Sequence, residues 1–355
     1  MPSGKTLRAL APLVQRRAFS SSQHHHASGA TASEAASRML DTFAGAVSIR
    51  RQVLDANQVQ KLALTLGRPT LGATDISTEA PRVGTPIPAG YHLVYFTPGG
   101  LESELSADGT DRTFNAPQPF TRRMWAGGRM SWPDATASEH ATLRVGDEVE
   151  ERTRLVSATP KKSRGGGEMV LVEVEKELCA PRGHTVVDRR SWIFRPEIDP
   201  SSASEHASLT GEVPRAATTI QDVGADASGF PVRQLCWSPV GLFRFSALTF
   251  NGHKIHFNEE WSQRVEGHPG IVVHGPLNLI NILDYWRDVH GAGLEPASIS
   301  YRAMSPIYAG ETYNIKTERS SEDERQGVHH IIAEKKGTVC MKAEVAKFLG
   351  FNYND

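Results

Sequence analysis

The sequence predicts an α+β protein of two units, each an antiparallel sheet wrapped around a helix, with the helix of the first unit reduced. Three observations carry this. Residues 275–290 place Leu277, Ile280, Leu283, Trp286 and Val289 every three positions, and Leu279 and Ile282 widen the stripe. So broad an apolar surface suits a helix enclosed by a sheet. Strand-like runs follow at 298–304, 312–317, 328–334 and 338–348, the last alternating cleanly through Val339, Met341, Ala343 and Val345. Finally, residues 143–149 (Leu-Arg-Val-Gly-Asp-Glu-Val) echo residues 307–313 (Ile-Tyr-Ala-Gly-Glu-Thr-Tyr), each reading as strand, tight turn at glycine, acidic residue, strand.

Taken in order, residues 1–33 read as a mitochondrial targeting segment. They carry Lys5, Arg8, Arg16 and Arg17 with no acidic residue before Glu34. Leu7, Leu10, Leu13 and Val14 offer a short apolar stripe, and 16–22 (Arg-Arg-Ala-Phe-Ser-Ser-Ser) a processing region, which is the composition of a transit peptide. The plainer alternative is a disordered tail, and the run His24–His26 belongs to that composition rather than to a metal site.

Residues 34–196 form the first unit. Residues 35–59 read as helical, with Met39, Phe43, Val47 and Leu54 mostly on one face. Strands are expected around 153–156, 169–178 and 186–194, with the basic glycine-rich stretch 161–167 as a hairpin loop. Residues 197–231 are dense in Ser, Ala, Asp and Gly and read as a linker. The second unit spans 232–355, with a helix starting at Ser238-Pro239, a serine cap followed by proline at the first helical position. Trp-Ala-Gly-Gly at 125–128 also echoes Val-His-Gly-Pro at 273–276. Gly127 and Gly146 are 19 apart, whereas Gly275 and Gly310 are 35 apart. That difference is about one long helix, so the first unit is expected to lack most of its central helix.

Composition narrows the function. The 39 basic and 40 acidic residues nearly balance, so nothing points to nucleic acid. No run of 18 apolar residues exists, which excludes a membrane-spanning helix of ordinary design. Cys179, Cys236 and Cys340 are odd in number and far apart, giving neither a disulfide framework nor a zinc pattern.

The chemistry concentrates in 250–257 (Phe-Asn-Gly-His-Lys-Ile-His-Phe) and 265–277. Four histidines (His253, His256, His268, His274) and the carboxamide of Asn251 fall in a short stretch that ends at a helix start at Gly275. A helix N-terminus offers free N–H groups and positive partial charge, which a thioester carbonyl needs as it becomes an enolate. A histidine is the natural base for water or an α-proton. Metal binding by these histidines is the rival reading, but no carboxylate or cysteine stands at ligand spacing, and no metal or other cofactor is expected. Taken singly, His268 and to a lesser degree His253 read as ordinary satisfied histidines.

These residues resemble a family. The segments 250–257 and 272–277 are similar to the signature of the MaoC-like enoyl-thioester hydratases. Residues 122–129 with 143–148 resemble the first half of a subgroup containing hydroxyacyl-thioester dehydratase type 2 and mesaconyl-CoA or itaconyl-CoA hydratases. The resemblance covers roughly 40–350 and implies a double hot-dog, with the two units forming the pair that single-domain members make by association; a homodimer of whole chains is compatible with it. It implies reversible syn hydration of a 2-enoyl thioester carried by CoA or acyl carrier protein. His256 would be the base/acid, with Asn251 positioning water and His253 assisting. The Gly275 N–H, with His274 beside it, would polarise the thioester carbonyl, and Lys254, Arg264 and Arg302 would meet carrier phosphates. The sequence departs from the family pattern Gly-Asp-x-Asn-Pro-x-His, because Asn251 stands where the aspartate would be and His253-Lys254 replace Asn-Pro. Asn cannot transfer a proton. The implied roles are (3R)-hydroxyacyl-thioester dehydratase of mitochondrial fatty acid synthesis, in the matrix, or hydration of a short dicarboxylic CoA ester. For the second, Arg129, Arg244 or Arg302 would bind the free carboxylate. A thioesterase would want a carboxylate near the helix start, and 267–281 supplies none before it; a non-catalytic acyl-thioester binding protein is the remaining alternative.

Overall fold

A computed structural model describes residues 30–133, 142–198, 217–226, 229–322 and 326–348. The proposed leader therefore lies almost wholly outside the described residues, as does most of the proposed linker.

The first half runs α1 (Ala32–Phe43), β1 (Val47–Val53), α2 (Ala56–Thr65), a small hairpin of β2 (Thr70–Leu71) and β3 (Thr74–Asp75), and 3-10 turns at Tyr91–Val94 and Glu102–Glu104. Four strands follow: β4 (Arg122–Ser131), β5 (Glu148–Lys162), β6 (Glu168–Ala180) and β7 (Gly183–Arg195). The second half runs β8 (Thr219–Ala225), β9 (Pro231–Cys236), α3 (Pro239–Leu248), α4 (Gly275–Val289), β10 (Ser298–Ala303), β11 (Thr312–Glu322), β12 (Gln326–Lys335) and β13 (Thr338–Phe348).

All the long strands join one antiparallel sheet of order β1-β5-β6-β7-β4-β10-β13-β12-β11-β9-β8. The order β1-β5-β6-β7-β4 is repeated by β9-β11-β12-β13-β10, and the halves meet where β4 pairs with β10. This is the double hot-dog.

The repeat reaches single residues. Gly146 and Gly310 both have positive φ (89° and 80°) in the turn before β5 and β11. Asp147 Oδ2 accepts from the Arg144 N–H at 2.9 Å, and Glu311 Oε2 accepts from the Tyr308 N–H at 2.9 Å. Isolated bridges pair Pro86 with Arg144 and Val272 with Tyr308. Asp55 caps α2 as Ser238 caps α3. The echo between 143–149 and 307–313 is thus a true structural repeat.

The second echo is not. Gly127 lies inside β4, opposite Arg302, whereas Gly275 opens α4. The bridges instead align 86–88 with 272–274, so the counterpart of α4 is the turn Tyr91–Val94. The first half has indeed lost its central helix, but ahead of β4 rather than after it. Two further readings change. The stretch 35–59 is helix, strand, helix: Gly45, at φ 66°, breaks the chain after α1, and 47–53 pairs along its whole length with β5. Part of the linker, 219–225, is strand β8, which borders β9 at the sheet edge. Helix α1 also begins at Ala32, inside the proposed leader, fixed by a capping box of Thr31 and Glu34.

The core explains the asymmetry of the halves. In α4, Leu277, Leu279, Ile280, Ile282, Leu283, Tyr285 and Trp286 are fully buried under the second half-sheet. Burial of each such side chain contributes on the order of 1.5–3 kcal/mol. The concave face of the first half-sheet has no such helix. One end is covered by α1, whose Ala32, Ala35, Ala36 and Met39 join Val170, Val172 and Phe194. The other end closes over Tyr91 and Val94 with Val149, Leu178 and Val186. Between them the face is polar. Lys176 pairs with Glu151 at 2.8 Å, Arg50 with Glu151 at 2.6 Å, and Arg190 with Asp188 at 2.6 Å.

Candidate active site

Helix α3 ends with Phe250 in the left-handed region (φ 47°), which turns the chain sharply and presents 251–257 beside the start of α4. Asn251 is fixed at both ends of this turn. Its N–H donates to the Ser246 carbonyl at 2.9 Å, and its Oδ1 accepts from the His253 N–H at 3.0 Å. The carboxamide oxygen is thereby engaged locally, leaving the NH2 group as the free donor.

His256 sits in a short 3-10 turn, Lys254–His256, and is buried. Its Nδ1 lies 2.8 Å from the Val272 carbonyl. A carbonyl can only accept, so Nδ1 carries the proton and Nε2 holds a lone pair. The ring stacks flat on His274, with centroids 3.7 Å apart at 17°. His274 caps α4, is almost wholly buried, and engages Ser246 Oγ through Nε2 at 2.9 Å. The structure thus places His274 behind His256, between it and Phe245.

Burial keeps these imidazoles neutral. It pushes His256 down to about 3, with help from nearby His253 and His268 and against the pull of the Val272 carbonyl. His253 is likewise pushed down to about 3 by burial, then by Arg123, His268 and Arg122. His274 falls well below its ordinary value for the same reason. A neutral, oriented imidazole with an open Nε2 is a base.

Gly275 opens α4, and Pro276 follows with no N–H to offer. No hydrogen bond to the Gly275 N–H forms among the described residues. Trp125 of β4 lies against this glycine: a Cβ there would stand 2.2 Å from Trp125 Cε3. Trp125 in turn stacks on Tyr301 (4.8 Å, 24°). The helix start is therefore walled by an indole from the other half of the chain.

The expected carrier-binding residues do not converge. Lys254 is beside the site, but its ammonium donates to the Ala107 carbonyl at 2.7 Å and lies over the Trp261 ring. Arg264 is exposed and pairs with Glu260. Arg302 alternates with inward-facing Tyr301 and so lies on the outer face of the sheet. There Arg302 and Arg129 join Lys161, Lys162 and Arg189 around a groove of about 530 Å3 whose lining includes no residue of 251–257 or 272–277. Arg244 is exposed on α3. For Arg302 the physical reason is strand alternation: neighbouring residues face opposite sides, so a cation next in sequence to Tyr301 points away from it. His268 is half-buried, 3.4 Å from Tyr308 Oη, as an ordinary polar residue would be. Among the described residues no group of three His, Cys, Asp or Glu is arranged to hold a metal.

Three residues near the site come from the first half: Asp108 carried no signal, and Arg122 and Arg123 entered only as part of the 122–129 resemblance. Asp108 Oδ2 lies 3.7 Å from His253 Nε2. Arg122 and Arg123, at the start of β4, act on His253 and are held by Glu266 and Asp111. They lie more than a hundred residues upstream of His253; the β4–β10 seam brings in Arg122 and Arg123, and backbone contact of the 106–110 loop with Lys254 brings in Asp108.

The profile of the hydroxyacyl-thioester dehydratase type 2 family matches residues 90–309. A mesaconyl-C(4)-CoA hydratase of Chloroflexus aurantiacus is 30% identical over 231 residues, 64% of this chain and 74% of that protein. The mitochondrial hydroxyacyl-thioester dehydratase type 2 of Schizosaccharomyces pombe is 24% identical over 253 residues, 65% of this chain and 77% of that one. Among solved structures, a MaoC-like dehydratase superposes with a TM-score of 0.61 at 14% identity, covering 88% of this chain and all of the other. A MaoC-like dehydratase from Phytophthora capsici gives 0.58 at 15% identity, covering 88% and 99%. These two superpositions bear on the fold alone.

Proposed function

The chain belongs to the hydroxyacyl-thioester dehydratase type 2 family, and on that footing we propose that it interconverts 2-enoyl and 3-hydroxyacyl thioesters by adding or removing water. The observation that carries this reading is the His256 imidazole. Its Nδ1–H is tied to the Val272 carbonyl, so Nε2 carries the lone pair, and the ring stacks on His274 at the start of α4.

In the hydration direction, the thioester oxygen accepts from the Gly275 N–H, which draws electron density from the double bond. Water is held by the Asn251 NH2 and by His256 Nε2. The imidazole takes one water proton as the oxygen bonds to C3, and the electron pair of the double bond moves toward the carbonyl. His256 then returns that proton to C2 on the same face, which gives syn addition and restores the neutral ring. His253 assists from 5.3 Å, edge-on to His256. His256 alone takes and returns the proton, so no step calls on the aspartate that Asn251 replaces.

Two acyl classes remain. The (3R)-hydroxyacyl thioester of mitochondrial fatty acid synthesis, on carrier protein or CoA, is supported by the basic, acid-free composition of residues 1–33 and by the S. pombe relative, whose own name says mitochondrial; a matrix location is part of this reading. The second reading, a short dicarboxylic thioester, is favoured by an observation of its own. Behind Tyr301 and Trp125, the concave face of the first half carries Arg50, Lys176 and Arg190 against only Glu151 and Asp188. Tyr301 Oη is buried there without a hydrogen-bond partner among the described residues. A surplus cation and a hydroxyl able to donate suit a carboxylate-bearing acyl group better than an alkyl chain.

The test is loss of the conjugated enoyl-thioester absorbance with crotonyl-CoA, mesaconyl-CoA and a crotonylated acyl carrier protein. Turnover of crotonyl thioesters supports the fatty-acid reading, and turnover of mesaconyl-CoA alone the dicarboxylic one. No turnover of any, by folded protein, overturns the hydratase reading in favour of an acyl-thioester binding protein.

A further inference from the structure

The first-half loop that reaches the site is built for contact with 251–256. Gly109 has φ +84°, and a Cβ on it would stand 2.0 Å from the Gly252 carbonyl oxygen. The loop is closed on itself by Ser106 N–H to Thr110 O and Gly109 N–H to Ser106 O, both 2.8 Å. It is bonded to the motif by Lys254 N–H to Asp108 O at 2.8 Å and Lys254 Nζ to Ala107 O at 2.7 Å. Two backbones thus interlock, and Asp108 is the residue at the point of contact.

The two carboxylate oxygens of Asp108 have different tasks. Oδ1 accepts from the Thr110 N–H (2.9 Å) and hydroxyl (2.7 Å), which fixes the side chain from behind. Oδ2 faces His253 Nε2 at 3.7 Å. Both side chains are largely shielded from water. The other groups around His253 are cations or imidazoles: Arg122 and Arg123 from β4, His268 from the following loop, and His256 on its own segment. Those arginines are already matched to Glu266 and Asp111. Asp108 therefore supplies the negative charge directly facing the imidazole ring, at the one place where the family motif has lost its own acid to Asn251.

Resting on the hydratase reading above, we propose that Asp108 is a positioning residue of this site. Its carboxylate holds His253 with Nε2 protonated toward it and Nδ1 unprotonated, and places negative charge next to the His253–His256 pair. The acidic partner that the motif lacks in cis is delivered by the other half of the chain. A separation of 3.7 Å is longer than a hydrogen bond, and contacts of this kind tighten when substrate fills the site. Loss of a carboxylate that fixes a histidine tautomer costs far more than its contribution to stability.

The experiment compares the whole chain as wild type, D108N, D108E and D108A, with H256A as the control for the reaction itself. The amide in D108N still accepts from Thr110, so the loop keeps its closure while the charge goes. The expected result is a melting temperature close to wild type, kcat lower by at least about tenfold, and KM changed by less than about twofold. The acid limb of the pH–rate profile moves to lower pH, because removing negative charge lowers the proton affinity of both histidines. D108E keeps the limb in place and retains more activity than D108N. Independently of activity, the 15N shifts of the His253 ring report one tautomer in wild type and a mixture in D108N. Wild-type kcat, profile and tautomer in D108N would overturn the proposal. So would equal losses in D108N and D108A that track a fall in melting temperature, which would make the loop merely structural. An inactive wild type would instead sink the hydratase reading, and the tautomer measurement would still decide whether Asp108 orients His253.

Discussion

The imidazole of His256 is asked to be neutral, oriented and nearly dry at once, and the surrounding residues divide these tasks. The Val272 carbonyl sets the tautomer, His274 sets the ring plane, and burial removes the charged form. The same burial has a cost at low pH. In the unfolded chain each histidine takes up a proton near pH 6.5. In the folded protein His253 and His256 do so only near 3, and His92 near 4. Between those values the unfolded state binds more protons, so stability is complete above about pH 6.5 and is lost as pH falls. The slope is up to about 1.4 kcal/mol per pH unit for each such histidine. Urea midpoints measured at pH 7 and pH 5 should therefore fall steeply, in a window where the ion-paired carboxylates, held low by their arginines and lysine, are still charged. A midpoint independent of pH over this range would contradict burial of neutral imidazoles. At this scale the sequence singled out His256, Asn251 and Gly275 through their spacing, and the structure places His256 against His274 at the start of α4. Asp108 was illegible, because an Asp-Gly-Thr turn is an ordinary loop signal until a second segment is seen packed on it.

At the scale of elements, α4 and the loops flanking its start matter most. Gly275 is required because Trp125 occupies the space a Cβ would fill, and Trp125 cannot retreat while stacked on Tyr301. G275A should lower stability by about 1–3 kcal/mol through overpacking, despite alanine's better helix propensity. It should also raise KM or lower kcat, since the helix start moves relative to His256; calorimetry and steady-state kinetics read the two effects separately. A variant as stable and active as wild type would show that the indole does not wall the site. Helix α4 and strand β13 were legible because their periodicities are long and unambiguous. Strand β1 was not: its apolar Val47, Ile49 and Val53 face solvent at a sheet edge while Arg50 and Gln52 are half-buried, so polarity runs against burial, and Val47 was absorbed into a helical stripe. The cations Arg129 and Arg302 failed for the converse reason, that strand alternation sends a neighbour of a site residue to the far face.

Across the whole molecule, one half keeps its central helix and the motif, and the other gives up the helix and contributes walls. Because 89–94 forms only a short turn, the concave face of the first half is left to α1, to a polar cluster and to the side chains that reach the site. Trp125, Arg122, Arg123 and Asp108 all arrive from that half, so neither half holds a complete site. The repeat was legible where a glycine and an acidic residue build the same turn twice. It was misaligned where Gly127 resembled Gly275 only in sequence, and the bridges at Pro86 and Val272 restore the correct register. The central claim remains that this pseudo-symmetric frame holds His256 as the base of an acyl-thioester hydratase. The direct measurement is kcat/KM for enoyl-thioester hydration by wild type and H256A, both shown folded by circular dichroism. The account predicts a loss of about 10²–10⁴-fold in the variant, with thioester binding retained. Hydration unchanged by the substitution would contradict it.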